Sequence, residues 1–154
     1  MVKISATDVG AQRAKVKRLV QPGQSALHFN HESAAVKSEA YRLFCTMPIA
    51  VTLIHAPKGV KPIVARERAV RGVAQLARVE HPKRIVFELD EAVDREDRRW
   101  LRSELGANSP VEYLHQNRSA DPMVWIADGI AWAVQRGGQW CAQVEPLITQ
   151  VIKA

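Results

Sequence analysis

The sequence has only two cysteines, few aromatic residues and no long apolar run. Cys45 and Cys141 stand in no CxxC pattern, so their spacing favours neither a zinc site nor a redox pair. The longest apolar stretch is about a dozen residues and contains Asp128, which is too short for a membrane span. The N-terminus also lacks the apolar core of a signal peptide. These absences predict a cytoplasmic protein with no membrane partner.

The composition that remains is that of an ordinary globular protein. Hydrophobic residues make up 47% of the chain and charged residues 25%, which argues against a disordered or fibrous protein. A length of 154 residues is enough for one hydrophobic core. We therefore expect residues 1–154 to form a single domain.

The chain carries an excess of positive charge. It has 22 Lys and Arg against 16 Asp and Glu, a net charge of +6. The basic residues gather in two stretches, 13–18 and 66–84, and an anionic partner such as nucleic acid is the function that this charge favours. Each stretch taken alone also fits the solvated face of an amphipathic helix.

The periodicity of apolar residues predicts alternating helices and strands. The spacing predicts five helices, over about 9–20, 34–44, 62–79 and 94–105 and around Asp128. Ser33 would cap the second of these helices, and Gly137 would end the fifth. A last amphipathic segment is predicted over 140–152. The β-branched runs predict strands over 48–55, 83–89 and 111–115. Strands separated by helices of this length indicate parallel crossovers, hence an α/β sheet with helices on both faces.

Asp128 stands out because nearly all of its neighbours in residues 122–134 are apolar. On a helix, positions three and four residues away would surround it with Val124, Trp125, Ala131 and Trp132. A carboxylate in such surroundings loses hydration, which costs several kcal/mol unless it pairs, binds a metal or takes up a proton. Two interpretations follow: a metal ligand, or a structural aspartate paired with an arginine.

Other acidic and polar residues fall where an α/β site is expected. Glu88 and Asp90 follow a strand, and His28 and Glu32 lie in a polar cluster after a short apolar segment. Sites in parallel sheets form outside the carboxyl ends of the strands, where these carboxylates and Asp128 can converge. Carboxylates in such an arrangement hold a pair of Mg²⁺ or Mn²⁺ ions for phosphoryl chemistry.

Each of these residues also has a structural interpretation. Glu88 can be a solvated strand end, while Asp90, Glu91 and Asp94 can form a solvated turn and helix start. His28 can be polar surface, and Glu32 can belong to the first turn of its helix. The histidines have no zinc-site spacing, and neither a GxSxG motif nor a P-loop is present.

Three segments carry a family resemblance. They are Leu27-His28-Phe29 with Glu32, Ile85-Val86-Phe87-Glu88, and Trp125 to Ala133, where Ala-Asp-Gly-Ile-Ala-Trp-Ala follows a polar segment. Over roughly residues 8–150 the chain resembles the domain-of-unknown-function 3800 family, especially its short actinobacterial members. The resemblance implies a ribonuclease H-like fold, a three-layer α/β sandwich with a mixed sheet.

The same resemblance implies a metal-dependent acidic site of nuclease type. Glu88 matches the strand-end carboxylate of the family and Asp128 the carboxylate of its last helix, so these two would hold Mg²⁺ or Mn²⁺. His28 and Glu32 match the polar positions of the middle motif, which would assist catalysis.

The chain departs from the family at its start. Members usually begin with a strand that carries Asp-Glu-Ser, the first metal ligand, and here that opening hairpin is absent. We expect the loss to leave a central strand unpaired, unless a second copy or another partner chain covers it. Alternatively the gene start is assigned too far downstream. Residues 2–4 can form a remnant strand but supply no carboxylate.

Three functions remain open from the sequence. The first is a divalent-metal phosphodiesterase that acts on DNA or RNA, with Asp128 and Glu88 on the metals. The second is a catalytically inactive module of the same fold that binds nucleic acid or regulates. The third is a self-associating structural or interaction protein of mobile-element origin, in which Asp128 pairs with an arginine.

Overall fold

A computed structural model describes residues 1–57 and 59–153 of the chain. The helices are α1 (Val9–Lys17), α2 (Ala34–Cys45), α3 (Pro62–Glu80), α4 (Asp94–Leu105), α5 (Met123–Arg136) and α6 (Gly138–Val144), with a 3₁₀ turn at Glu145–Leu147. The strands are β1 (Val2–Ile4), β2 (Ile49–His55), β3 (Arg84–Glu88), β4 (Glu112–Gln116) and β5 (Ile148–Lys153). The protein therefore belongs to the α/β class predicted from the sequence.

The helix boundaries follow local signals in the sequence. Ser33 caps α2, because its hydroxyl accepts a hydrogen bond from the Val36 backbone N–H at 3.3 Å. Pro62 occupies the first turn of α3, where a missing N–H is harmless. Gly106 ends α4 with a φ of 83°, a conformation that favours glycine. These three boundaries confirm the sequence predictions.

The last predicted segment divides into several elements. Residues 140–152 form most of α6, the 3₁₀ turn and β5. Pro146 lies within the 3₁₀ turn and cannot continue a helix, since it lacks the backbone donor. The β-branched residues that follow it then suit a strand.

The strands form two sheets instead of the single predicted sheet. One sheet has the order β1-β2-β5, and β1 pairs with β2 in antiparallel register, Val2 opposite Val51. The other contains β3 and β4 in parallel, with Arg84 opposite Glu112 and Glu88 opposite Gln116. Because β1 and β5 occupy both edges of β2, no edge of β2 is left for β3. The expectation of a central strand left unpaired is therefore wrong for β2, and a strand at residues 2–4 is confirmed as β1.

The described residues divide into two compact units. Unit 1 contains residues 1–52 and 118–150, and unit 2 contains the described residues of 53–117 and of the stretch from 151 onward. The boundaries fall inside β2, after β4 and inside β5. The single domain predicted from the length of the chain stays a prediction.

Each unit has its own buried side chains. In unit 1 the aromatic rings of Phe29, Tyr41 and Phe44 pack against one another, with Phe29 and Tyr41 stacked at 5.6 Å between centroids. In unit 2 α3 and α4 pack together, and Trp100 and Leu101 are the largest buried side chains of their core cluster. Within residues 1–57 and 59–153, no helix is long and apolar enough to cross a membrane.

Candidate functional site

Asp128 lies on α5 in unit 1 and pairs with an arginine. Its Oδ2 accepts a hydrogen bond from Arg118 Nη1 at 2.9 Å, and its side chain is 33% exposed. Two of its helical neighbours, Ala127 and Ala131, are also exposed. The expected loss of hydration is therefore only partial, because Asp128 lies at the boundary between the buried and the exposed face of α5. The alternative of a structural aspartate paired with an arginine describes the observed contact.

Arg118 connects three parts of unit 1. The same Nη1 that binds Asp128 also donates to the carbonyl oxygen of Leu27 at 2.9 Å. The indole N–H of Trp125 donates to the backbone oxygen of Arg118 at 2.8 Å. Arg118 thus fixes the segment before α2 to α5, and the Asp128 carboxylate balances its charge.

Glu32 and His28 form one turn in unit 1. Glu32 Oε1 accepts from the backbone N–H of His28 at 3.1 Å, while the backbone N–H groups of His31 and Glu32 donate to His28 O. The Glu32 side chain is buried, and the His28 side chain is exposed. Glu32 therefore closes the turn that precedes α2, and this contact uses one of its two carboxylate oxygens.

Glu88 is the last residue of β3, as predicted, and it belongs to unit 2. It is half-buried, and its charge contributes to raising the pKa of Arg66. The other three predicted site residues, His28, Glu32 and Asp128, belong to unit 1. Within the part of the chain that the structure describes, no group of three or more His, Cys, Asp or Glu side chains is arranged to hold a metal ion.

Unit 2 contains a buried carboxylate that the sequence analysis missed. Asp97 lies on α4, and its side chain has no exposed surface. Arg66 of α3 donates to both of its oxygens, from Nε to Oδ1 at 3.0 Å and from Nη2 to Oδ2 at 2.7 Å. The bond to Asp97 is the main reason why the pKa of Arg66 is raised. This two-point contact is the geometry that makes arginine–carboxylate pairs strong.

His115 of β4 lies between two carboxylates of α4. Its Nε2 is 3.3 Å from Asp97 Oδ2, its Nδ1 is 3.3 Å from Asp94 Oδ1, and the side chain has no exposed surface. The Nε2 contact has hydrogen-bond geometry, whereas Nδ1 has no aligned partner. The ring also stacks on Phe87 at 5.3 Å between centroids. We name the group of Arg66, Asp94, Asp97 and His115 the Asp97 cluster.

Asp94 connects this cluster to the protein surface. Both of its oxygens accept hydrogen bonds from Arg98 Nε, at 3.0 and 2.9 Å. The bond from Arg98 lowers the pKa of Asp94, and the charges of His115 and Arg98 lower it further, against an opposing effect of burial. Asp94 is therefore held in its ionised form between a buried imidazole and an exposed guanidinium.

The β3–α4–β4 crossover brings the Asp97 cluster together. Because β3 and β4 are parallel, α4 begins at the same sheet edge where β4 ends. The sequence predicts a solvated turn and helix start at residues 90–94, and this prediction does not indicate that Asp97, three residues later, is buried. A signal was present, however: Asp97 precedes Trp100 and Leu101 by three and four residues, which places all three on one face of α4. That face is the buried one.

The opposite face of α4 carries a stripe of arginines. Arg95, Arg98, Arg99 and Arg102 are all exposed and stand at helical spacing. With Glu96 and the half-buried Tyr113 they line a groove of about 730 Å³, which we name the α4 arginine groove. Among the described residues, Arg98 pairs with Asp94, whereas Arg95, Arg99 and Arg102 form no ion pair.

Comparison with known protein families, with curated proteins and with solved structures finds no match for this chain. The resemblance inferred from the three short segments therefore stays a prediction.

Proposed function

We propose that this protein binds nucleic acid and that the α4 arginine groove contacts the phosphate backbone. The observation that supports this proposal is the row of four exposed arginines on one helix face. Arg95 and Arg102 are separated by seven residues, which corresponds to about 10 Å along a helix axis. A phosphate backbone offers several negative charges over that length.

The charges of these arginines are mostly uncompensated. Most other arginines of unit 2 with a described contact are bound to carboxylates, as Arg66 is to Asp97 and Arg71 is to Glu104. Among the described residues that line the groove, only Arg98 has such a partner, and Glu96 is the single acidic one. Guanidinium groups with free donors suit phosphate, because their planar fork matches two phosphate oxygens. The net charge of +6 also favours binding to a negatively charged partner.

The binding proposal is tested by replacing three arginines at once. In a fluorescence-anisotropy titration of a labelled 20-nucleotide DNA, R95Q/R99Q/R102Q should reduce the slope of log affinity against log salt by about two to three. A matched control, K15Q/K17Q/R18Q at the end of α1 and just after it, removes the same charge from an exposed surface outside the groove. The proposal predicts a smaller change of slope for the control. No binding at low salt, or an equal loss in both variants, contradicts it.

Metal-dependent cleavage of the bound nucleic acid is the second candidate function. It is supported by the resemblance to a family with a ribonuclease H-like fold and by the position of Glu88 at the carboxyl edge of the parallel β3–β4 pair. In this proposal Glu88 is a ligand of Mg²⁺ or Mn²⁺ at that edge of the sheet. A Mn²⁺-dependent cleavage assay with E88Q tests it, because equal activity in wild type and variant removes the metal role of Glu88.

A further inference from the structure

A chain of charged contacts joins the buried His115 to the α4 arginine groove. His115 Nδ1 lies 3.3 Å from Asp94 Oδ1, and the Asp94 carboxylate accepts from Arg98 Nε at 2.9 Å. Arg98 is one of the four arginines that line the groove. Asp94 therefore contacts a group that can gain a proton on one side and a phosphate-binding arginine on the other.

The surroundings of His115 define where a second proton would go. Nε2 has hydrogen-bond geometry toward Asp97, so the neutral ring is expected to keep its proton there. Nδ1 then presents a lone pair to the Asp94 carboxylate, and protonation converts that contact into a charge-assisted hydrogen bond. The charged groups of this region come from three elements. Asp94, Asp97 and Arg98 lie on α4, and Arg66 lies on α3. Glu88 is the last residue of β3, and Asp90 follows it.

Protonation of His115 changes the groove in two ways. The imidazolium competes with Arg98 for the Asp94 carboxylate, which releases Arg98 donors toward the groove. It also adds one positive charge beneath α4, where Asp97 is already balanced by Arg66 and Asp94 by Arg98. Both changes favour a phosphate at the groove.

We infer that His115 is a proton-sensitive positioning residue of the α4 arginine groove, so that nucleic acid binds more tightly when both ring nitrogens carry protons. This inference rests on the proposed function, because it concerns the regulation of the same groove. The expected consequence is an affinity that is higher at pH 5.5 than at pH 8.0.

The test measures binding of a 5′-hydroxyl 20-nucleotide DNA at pH 8.0 and pH 5.5 and at constant ionic strength. Phosphodiesters do not titrate in this range, so a change in affinity reports on the protein. One additional phosphate contact on a single strand corresponds to a gain of up to about fivefold at 0.1 M salt, with a salt slope about 0.7 steeper at the lower pH. H115Q should abolish this gain. The matched control H81N replaces an exposed histidine at the end of α3 and should retain it.

A second variant keeps the inference testable if H115Q does not fold, which a thermal melt will show. D94N removes the carboxylate charge that holds Arg98, so its affinity at pH 8.0 should approach the wild-type value at pH 5.5. Equal wild-type affinities at the two pH values overturn the inference while leaving the binding proposal in place. A full pH response in folded H115Q or in D94N overturns it as well. Absence of binding at both pH values instead overturns the proposed function, and the inference with it.

Discussion

Asp128 and Asp97 are both helical aspartates that bind an arginine, but their surroundings differ. Asp128 is flanked by apolar residues in the sequence, yet its side chain is one-third exposed and has a single arginine partner. Asp97 is flanked by charged residues, yet its side chain is fully buried and contacts both Arg66 and His115. Local hydrophobicity therefore misidentifies the buried acid, because burial depends on which face of a helix packs against the core.

The largest expected effect comes from removing the buried carboxylate. D97A leaves Arg66 and the His115 ring without their shared partner, which should lower the free energy of unfolding by about 3–5 kcal/mol. The measurement is urea unfolding at pH 7. The matched control E91A removes an exposed acid just before α4 and should change the free energy by no more than about 0.5 kcal/mol. A loss below 1 kcal/mol in D97A would remove the contrast with Asp128.

A smaller effect is expected from packing beside Asp128. A Cβ at Gly129 would lie 2.4 Å from Phe29 Cζ, so G129A must displace a fully buried ring. We expect a loss of about 1–3 kcal/mol in the same unfolding experiment. The control G10A adds a methyl group on α1 where nothing lies within 4 Å, and helix propensity predicts a gain of up to about 1 kcal/mol. Equal results for the two variants would show that Phe29 does not fix the position of α5.

The third effect combines a hydrogen bond with a pH dependence. Tyr41 OH donates to the Gly129 carbonyl oxygen at 3.0 Å, so Y41F should cost about 1 kcal/mol at pH 7. Burial raises the pKa of Tyr41, and the charge of Asp128 raises it further. Above about pH 10 the unfolded chain loses this proton while the folded chain keeps it, so stability falls as the pH rises. Unfolding between pH 8 and 11 should show a weaker alkaline decline in Y41F, and an unchanged decline would contradict this account.

The smallest effect should come from the partly exposed pair of Asp128 and Arg118. D128N keeps an oxygen that can accept from Arg118 but removes the charge, so we expect a loss of less than about 1 kcal/mol. R118A should cost more, because it also removes the bond to the Leu27 carbonyl oxygen. Thermal or urea unfolding of both variants provides the measurement. A loss in D128N as large as that in D97A would mean that exposure does not separate the two aspartates.

The local part of the fold could be predicted from the sequence. Ser33, Pro62 and Gly106 mark helix ends through their own backbone and side-chain chemistry, and the structure confirms all three. Strands β3 and β4 lie within one residue or so of their predicted positions. Such features depend on a few neighbouring residues, which a sequence shows directly.

The long-range part could not be predicted in the same way. The sequence gives no sign that β5 pairs with β2, or that β3 and β4 form a separate sheet. The pairing of Asp97 with Arg66 and of Asp128 with Arg118 depends equally on contacts between elements. The spacing of Asp97 to Trp100 and Leu101 was the one local signal for a buried acid, and the charged composition of α4 obscured it.

The connection between β3 and β4 bears on the order in which the chain folds. Arg84 and Glu112, which form an ion pair across these strands, are 28 residues apart, whereas Val51 and Thr149 of the other sheet are 98 residues apart. Closing the longer loop costs about 1 kcal/mol more in chain entropy. We therefore expect the β3–α4–β4 segment to form early and the pairing of β2 with β5 to be a late, slow step of folding.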